Sequence, residues 1–222
     1  MILKWYFLFC VLLLSAIYAV NALDVPDPCN FDMNAAAFYD DKLYMFKGLW
    51  YWTFKDGFLY ENPKLLSTLY PDINGAVDSV FIYKNEQYFL VEQKVYIYDM
   101  NKELKRTLKF SDYGLPSKVK NVHYAVGGKY NDGKEVILII ANGRNYYFNP
   151  VTRETYSSIP TPHRNDWLAY VRINGEYFLF TTEGVNKSKN NTYELVGPFD
   201  KFYRCETPAK RSQIDQLRPT GD

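Results

Sequence analysis

The sequence predicts an all-β chain assembled from four copies of one sheet-forming unit. Three observations carry this. Aromatic residues make up 18% of the 222 residues, 21 of them tyrosine, and flat rings favour the pleated surface of strands. The stretch NAAAFYDDKLYMFKGLWYWTF, residues 34–54, returns three more times along the chain. Two cysteines bracket the four copies. The length suits one all-β domain or two small ones. The balance of 26 Lys+Arg against 25 Asp+Glu argues against a nucleic-acid protein, which shows a basic excess or a basic face.

Residues 1–22 stand apart. Lys4 gives a short basic start, Trp5 to Val20 is almost wholly apolar, and Val20-Asn21-Ala22 sets small residues at the −3 and −1 positions of a cleavage site. They read as a secretory signal peptide cut after Ala22, with a cut after Ala19 as the alternative. The other reading is an uncleaved anchor, for which the apolar run falls short of the ~20 residues a span needs. With the signal removed, no membrane span is expected, and the chain is expected to be secreted.

Export sets the meaning of the cysteines. Cys10 leaves with the signal segment; Cys29 and Cys205 remain at the two ends of the mature domain, 23–205. Two thiols in an oxidising compartment are expected to pair, two free thiols being the alternative. A bridge closing so long a loop contributes about 5 kcal/mol in the chain-entropy model. Asn186-Lys187-Ser188 and Asn190-Asn191-Thr192 are glycosylation acceptors, so Asn186 and Asn190 are candidate glycan sites.

Copy two, DSVFIYKNEQYFLVEQKVYIY at 78–98, aligns on copy one without a gap: Asn34 falls on Asp78, Tyr44 on Tyr88, Phe46 on Leu90, Trp52 on Tyr96 and Phe54 on Tyr98. Copy three opens at Asn121 with NVHYAV, takes a longer polar turn, and continues as EVILIIANGRNYYF. There Ile140, Tyr146 and Phe148 stand for Phe46, Trp52 and Phe54. Copy four opens at Asp166 with DWLAYVRINGEYFLFTTEG; its third strand is expected to be delayed by the polar stretch NKSKNN and to resume near Thr192. Each copy reads as an opening strand, a turn such as Asp40-Asp41 or Asn174-Gly175, a second strand, another turn and an aromatic third strand. A connector follows, with a weakly helical stretch at Pro63–Leu69 in copy one.

The near-constant spacing of the four openers is about that of one four-stranded propeller blade. Such a sheet is not stable alone and must pack on its neighbours. Trp50, Trp52, Tyr96 and Tyr146 therefore read first as wedge-filling residues between blades, each burying several times a methylene's ~0.8 kcal/mol. A ligand platform is the other reading.

The stretch FDMNAAAFYDDKLYMFKGLWYWTF resembles a hemopexin repeat: a small-residue opening, a turn, a strand ending in Phe-Lys-Gly and a Trp-containing strand. The connectors YPDINGAVDSV and FSDYGLPSKVKNV are similar to that family's inter-blade links, and Cys29 and Cys205 match its ring-closing disulfide. The resemblance spans residues 29–205. It departs at Asn34 and Asn121, where the family has Asp, at Val122, and in blade four, which lacks a third-strand Trp. It implies an all-β, four-bladed β-propeller with an axial tunnel. It also implies that main-chain carbonyls of the blade openers Asn34, Asp78, Asn121 and Asp166 hold a cation, calcium or sodium, a tunnel of water being the alternative.

Chemistry-bearing motifs do not support an enzyme. No His-Glu-x-x-His, Gly-x-Ser-x-Gly or phosphate-binding glycine loop occurs. Because hemopexin itself holds haem through histidines, His163 in the connector TPHRND and His123 near the start of an innermost strand are the candidate haem ligands. Residues 206–222 lack apolar periodicity and are expected to be a disordered tail, with Lys210-Arg211 a solvated pair. The expected function is a non-enzymatic binding module for an extracellular protein, matrix component or small ligand. The alternative is a carrier of haem or a polyamine-like cation.

Overall fold

Sixteen strands build four sheets in the computed structural model, which describes residues 24–112, 115–116, 119, 122–129, 135–160, 167–189 and 192–205. The signal segment, Asn121, His163, Asp166, Asn190 and the tail lie outside the described residues. Blade one comprises β1 (Ala35–Tyr39), β2 (Lys42–Lys47), β3 (Trp50–Lys55) and β4 (Phe58–Leu65). Blade two comprises β5 (Ser79–Tyr83), β6 (Glu86–Val91), β7 (Lys94–Asp99) and β8 (Leu104–Lys109). Blade three has β9 (Val122–Lys129), β10 (Glu135–Ala141), β11 (Arg144–Asn149) and β12 (Glu154–Pro160). Blade four has β13 (Trp167–Ile173), β14 (Glu176–Thr181), β15 (Gly184–Lys189) and β16 (Thr192–Gly197). Every sheet is an antiparallel meander in chain order.

Tight turns make the meanders. Asp40-Asp41, Lys84-Asn85, Glu92-Gln93, Asn142-Gly143 and Asn174-Gly175 all hold both central residues at positive φ. That is the type I′ geometry whose twist matches the flanking strands. Asp56-Gly57 does the same between β3 and β4.

The innermost strands form a ring: β1 packs on β5, β5 on β9, β9 on β13, and β13 back on β1. Because side chains alternate across a strand, each blade sends one face forward and one back. Between blades one and two, Phe46, Tyr51 and Tyr39 meet Phe89, Tyr96 and Tyr98 over the connector residues Leu66, Tyr70 and Ile73. Between two and three, Leu90, Val95 and Ile97 meet Ile137, Ile139, Tyr146 and Phe148. Between four and one, Phe180 and Val185 meet Met45, Trp52 and Phe54. Trp52, Tyr96 and Tyr146 are thus buried wedge-fillers, and the platform reading fails for these three. Trp50, at the start of β3, is only half-buried.

Closure uses the chain ends. Cys29 and Cys205 form a disulfide with Cα atoms 5.7 Å apart, within the usual span for such a bond. The last described residues also pair on blade one: Leu59 N–H donates to Arg204 O at 2.8 Å and Arg204 N–H to Gly57 O at 2.7 Å. Gly57 is required there, since a Cβ would stand 2.7 Å from the Phe202 carbonyl oxygen at a φ of +77°.

Two expectations are corrected. The stretch Pro63–Leu69 is not wholly a weakly helical connector: Phe58–Leu65 is the fourth strand, and only Leu66–Thr68 forms a 3-10 turn. Pro63 is tolerated because β4 is an edge strand. In blade four, the third strand is not delayed. β15 is Gly184–Lys189, starting two residues before the polar stretch and running into it, and Thr192 opens the fourth strand.

Candidate functional site

The innermost strands enclose an axial cavity of about 290 Å³. Its wall is mostly apolar or main chain: Ala36, Phe38, Val80, Ile82, Val126 and Val171 from the four blades. Arg172 at its mouth is the single charged residue among the lining residues, and its guanidinium lies over the Tyr177 ring at 5.6 Å. Tyr177 in turn donates from Oη to the Gly127 carbonyl oxygen at 3.3 Å, joining blades four and three. A second hollow of about 490 Å³ lies beside the disulfide, floored by Phe31, Leu168 and Phe199.

The two described blade openers, Asn34 and Asp78, have a structural task. Asn34 accepts the Gly48 N–H on its side-chain oxygen at 3.1 Å. The Asp78 carboxylate accepts the backbone N–H of Glu92, the same place in blade two. These two openers thereby tie their innermost strands to the β2–β3 type of turn. Burial pushes the Asp78 carboxyl above its usual range, the Glu92 N–H opposes that shift, and the Glu92 charge adds to it. Both side chains are therefore committed, and neither opener lines the axial cavity. Among the described residues no group of three or more His, Cys, Asp or Glu is placed to hold a metal. Side-chain ligation does not fit these openers; main-chain oxygens are what Asn34 and Asp78 still offer. Asn121 and Asp166 lie outside the described residues.

His123 lies half-buried on β9. His163, the other candidate haem ligand, lies outside the described residues. Asn186 sits half-buried in β15 and donates from Nδ2 to Thr181 Oγ1 at 3.2 Å and to Leu179 O at 3.5 Å. A glycan on that nitrogen leaves it one N–H, so at least one of the two bonds would be lost.

Sequence reasoning missed two features. One is a buried polar chain in the seam between blades one and two. Tyr39 Oη and Tyr70 Oη are 2.7 Å apart, and Tyr70 Oη donates to Gln87 Oε1. Gln87 is fully buried, and its Nε2 has no partner. Burial drives the Tyr39 and Tyr70 hydroxyls well above their ordinary titration range. The alternation around Gln87 could have placed it inside, but nothing in the sequence names its partners. The other is an aromatic group between blades three and four. Tyr124 packs on Trp167 at 5.8 Å and on Tyr170 at 5.9 Å, and Tyr193 lies 5.9 Å from Trp167.

No family model matches the chain, and no curated protein sequence does. Solved structures do. A hemopexin-fold protein, CP4, from cow pea aligns at a TM-score of 0.62 with 12% identity, covering 85% of this chain and 99% of that one. A 2S albumin seed protein from Dolichos aligns at 0.61 with 13% identity over 84% of this chain and 99% of that one. A plant lectin from Cicer arietinum, described as having two metal-binding sites, aligns at 0.59 with 11% identity over 85% and 99%. Together with the four blades and the terminal disulfide, these likenesses define the class: a single four-bladed β-propeller of the hemopexin fold.

Proposed function

We propose that the chain is a secreted, non-enzymatic binding module that recognises an extracellular ligand through its rims and seams. The observation that carries this is the closed ring. A disc locked by a disulfide and by Arg204 pairing on blade one presents its turns and seams on a rigid frame, so binding costs little ordering. A disulfide belongs to an oxidising compartment, which supports secretion. Among the described residues no helix is long and apolar enough to cross a membrane. Fold neighbours support a binding role: one is a plant albumin from Cicer arietinum showing hemagglutination, another a plant lectin. The test is expression of the full chain in secretory cells, followed by capture of ligands from extracellular fluid. A chain that stays inside the cell, or that retains nothing of any chemical class, would refute the reading.

The axial cavity favours a second reading, a small-ligand carrier, since its volume lies at the lower end of the ~300–1,000 Å³ usual for ligand sites. Native mass spectrometry of secreted protein would show a retained small molecule. Absorbance in the haem region, lost in His163→Ala or His123→Ala, would identify haem. An axial cation, if held by opener carbonyls, raises the melting temperature in calcium or sodium over that in sodium-free buffer with chelator. Identical melting in all three buffers would leave the tunnel without a stabilising ion.

A further inference from the structure

The third strands of the four blades occupy equivalent registers. Trp52 pairs with Met45, Tyr96 with Phe89, Tyr146 with Ile139, and Asn186 with Leu179. Each of these side chains points at the preceding blade, because its neighbour on the strand packs on the following one. Three are buried rings. In blade four an amide stands there instead, and Ser188 stands where Phe54 stands in blade one. The wedge between blades three and four is filled differently from the other three. Trp167, Tyr170 and Tyr193 come together in it, and Tyr193 and Leu195 remain 44% and 53% exposed at its outer edge.

From this we infer that the outer edge of the seam between blades three and four is a saccharide-binding surface. The claim rests on the reading of the chain as a binding module and specifies its ligand class and site. Three features select the ligand. Half-exposed rings of Trp167, Tyr170 and Tyr193 offer flat apolar faces, which match the C–H face of a pyranose ring. Asn186 and Ser188 bring an amide and a hydroxyl to the same face, and the Ser188 hydroxyl already bonds Tyr170. None of these side chains is charged, so the surface favours a neutral polyhydroxylated ligand over an ion or a charged peptide.

The experiment uses the full secreted chain on an immobilised panel of neutral hexose and N-acetylhexosamine oligosaccharides, with melting curves for every variant. Binding to at least one oligosaccharide is expected. Loss of a stacked ring in Tyr193→Ala or Trp167→Ala should weaken it by about tenfold, while Tyr193→Phe keeps most of it. Tyr60→Ala, an exposed tyrosine on blade one, should leave it unchanged. If Trp167→Ala does not fold, the exposed Tyr193 decides. Saccharide binding undiminished in folded Tyr193→Ala would overturn the site. Folded wild-type protein that retains no oligosaccharide would overturn the ligand class. Either result leaves the binding-module reading to its own capture test.

Discussion

Asn34 and Asp78 show why an apparent departure from a repeat's pattern can be silent. The side chain at this position is needed as a hydrogen-bond acceptor for a turn N–H, and an amide oxygen serves as well as a carboxylate. In Asp78 the carboxylate is partly desolvated and its pKa is raised. Such a group stabilises the fold fully below its unfolded value near 3.8, and that contribution is lost as pH rises through the folded value. At neutral pH the charge is therefore a mild liability. Asp78→Asn should leave thermal stability at pH 7 unchanged or slightly higher, whereas Asp78→Ala should lose about 1 kcal/mol with the acceptor. Equal losses in both variants, measured by denaturant unfolding, would show that the charge itself matters.

Hairpins carry the fold at the element scale, and one of them is poorly matched to its geometry. The turn Glu92-Gln93 holds φ values of 46° and 65°, the left-handed region that Asn and Gly enter at least cost. The equivalent conformation elsewhere is met by Asn142-Gly143 and Asn174-Gly175. Replacing Glu92-Gln93 with Asn-Gly should raise stability by about 1–2 kcal/mol, read as a shift in the urea midpoint at constant slope. The N–H that caps Asp78 is retained. A lower midpoint would mean that the Glu92 side chain contributes more than the turn costs. The outer strands belong to the same scale. β8 is exposed along nearly its whole length, so alternation is weak in it, and outer strands are where sequence reading is least secure. In copy one this made β4 read as a connector.

For the molecule as a whole, two properties follow from closure. The disulfide joins residues 176 apart in sequence, so it constrains nearly the entire described ring. Cys29→Ser, or reduction of the wild type, should cost about 2–5 kcal/mol, and the variant should open first at the seam between blades four and one, seen as faster hydrogen exchange in β1 and β13. Uniform exchange around the ring would argue that the bond merely decorates a self-sufficient closure. The second property is alkaline sensitivity. Burial raises the hydroxyl pKa of tyrosines in several seams, to about 12 for Tyr44 and Tyr203. Unfolded tyrosines titrate near 10, so their contribution is complete below pH 10 and is lost as pH rises towards the folded values. The melting temperature should fall steeply above pH 10, with tyrosinate absorbance growing in step with unfolding. Tyrosinate formation well before unfolding would show that the seams admit solvent.

The sequence by itself determined the number of blades, the positions of the inner three strands in blades one and two, and the residues that close the ring. The blades and strands rest on alternation, turn chemistry and a repeat whose rings fall in register; the closing pair rests on two cysteines that bracket the repeats. It also determined that Trp52, Tyr96 and Tyr146 are equivalent, though not that Asn186 takes the same place. Only the tertiary structure decided which rings meet across each seam, that Tyr70 reaches Gln87, and that blade four presents an amide where its counterparts present rings. The physical reason is range. Alternation and turns act between residues close along one chain segment, whereas a seam is made by two sheets that touch only after the circle has closed.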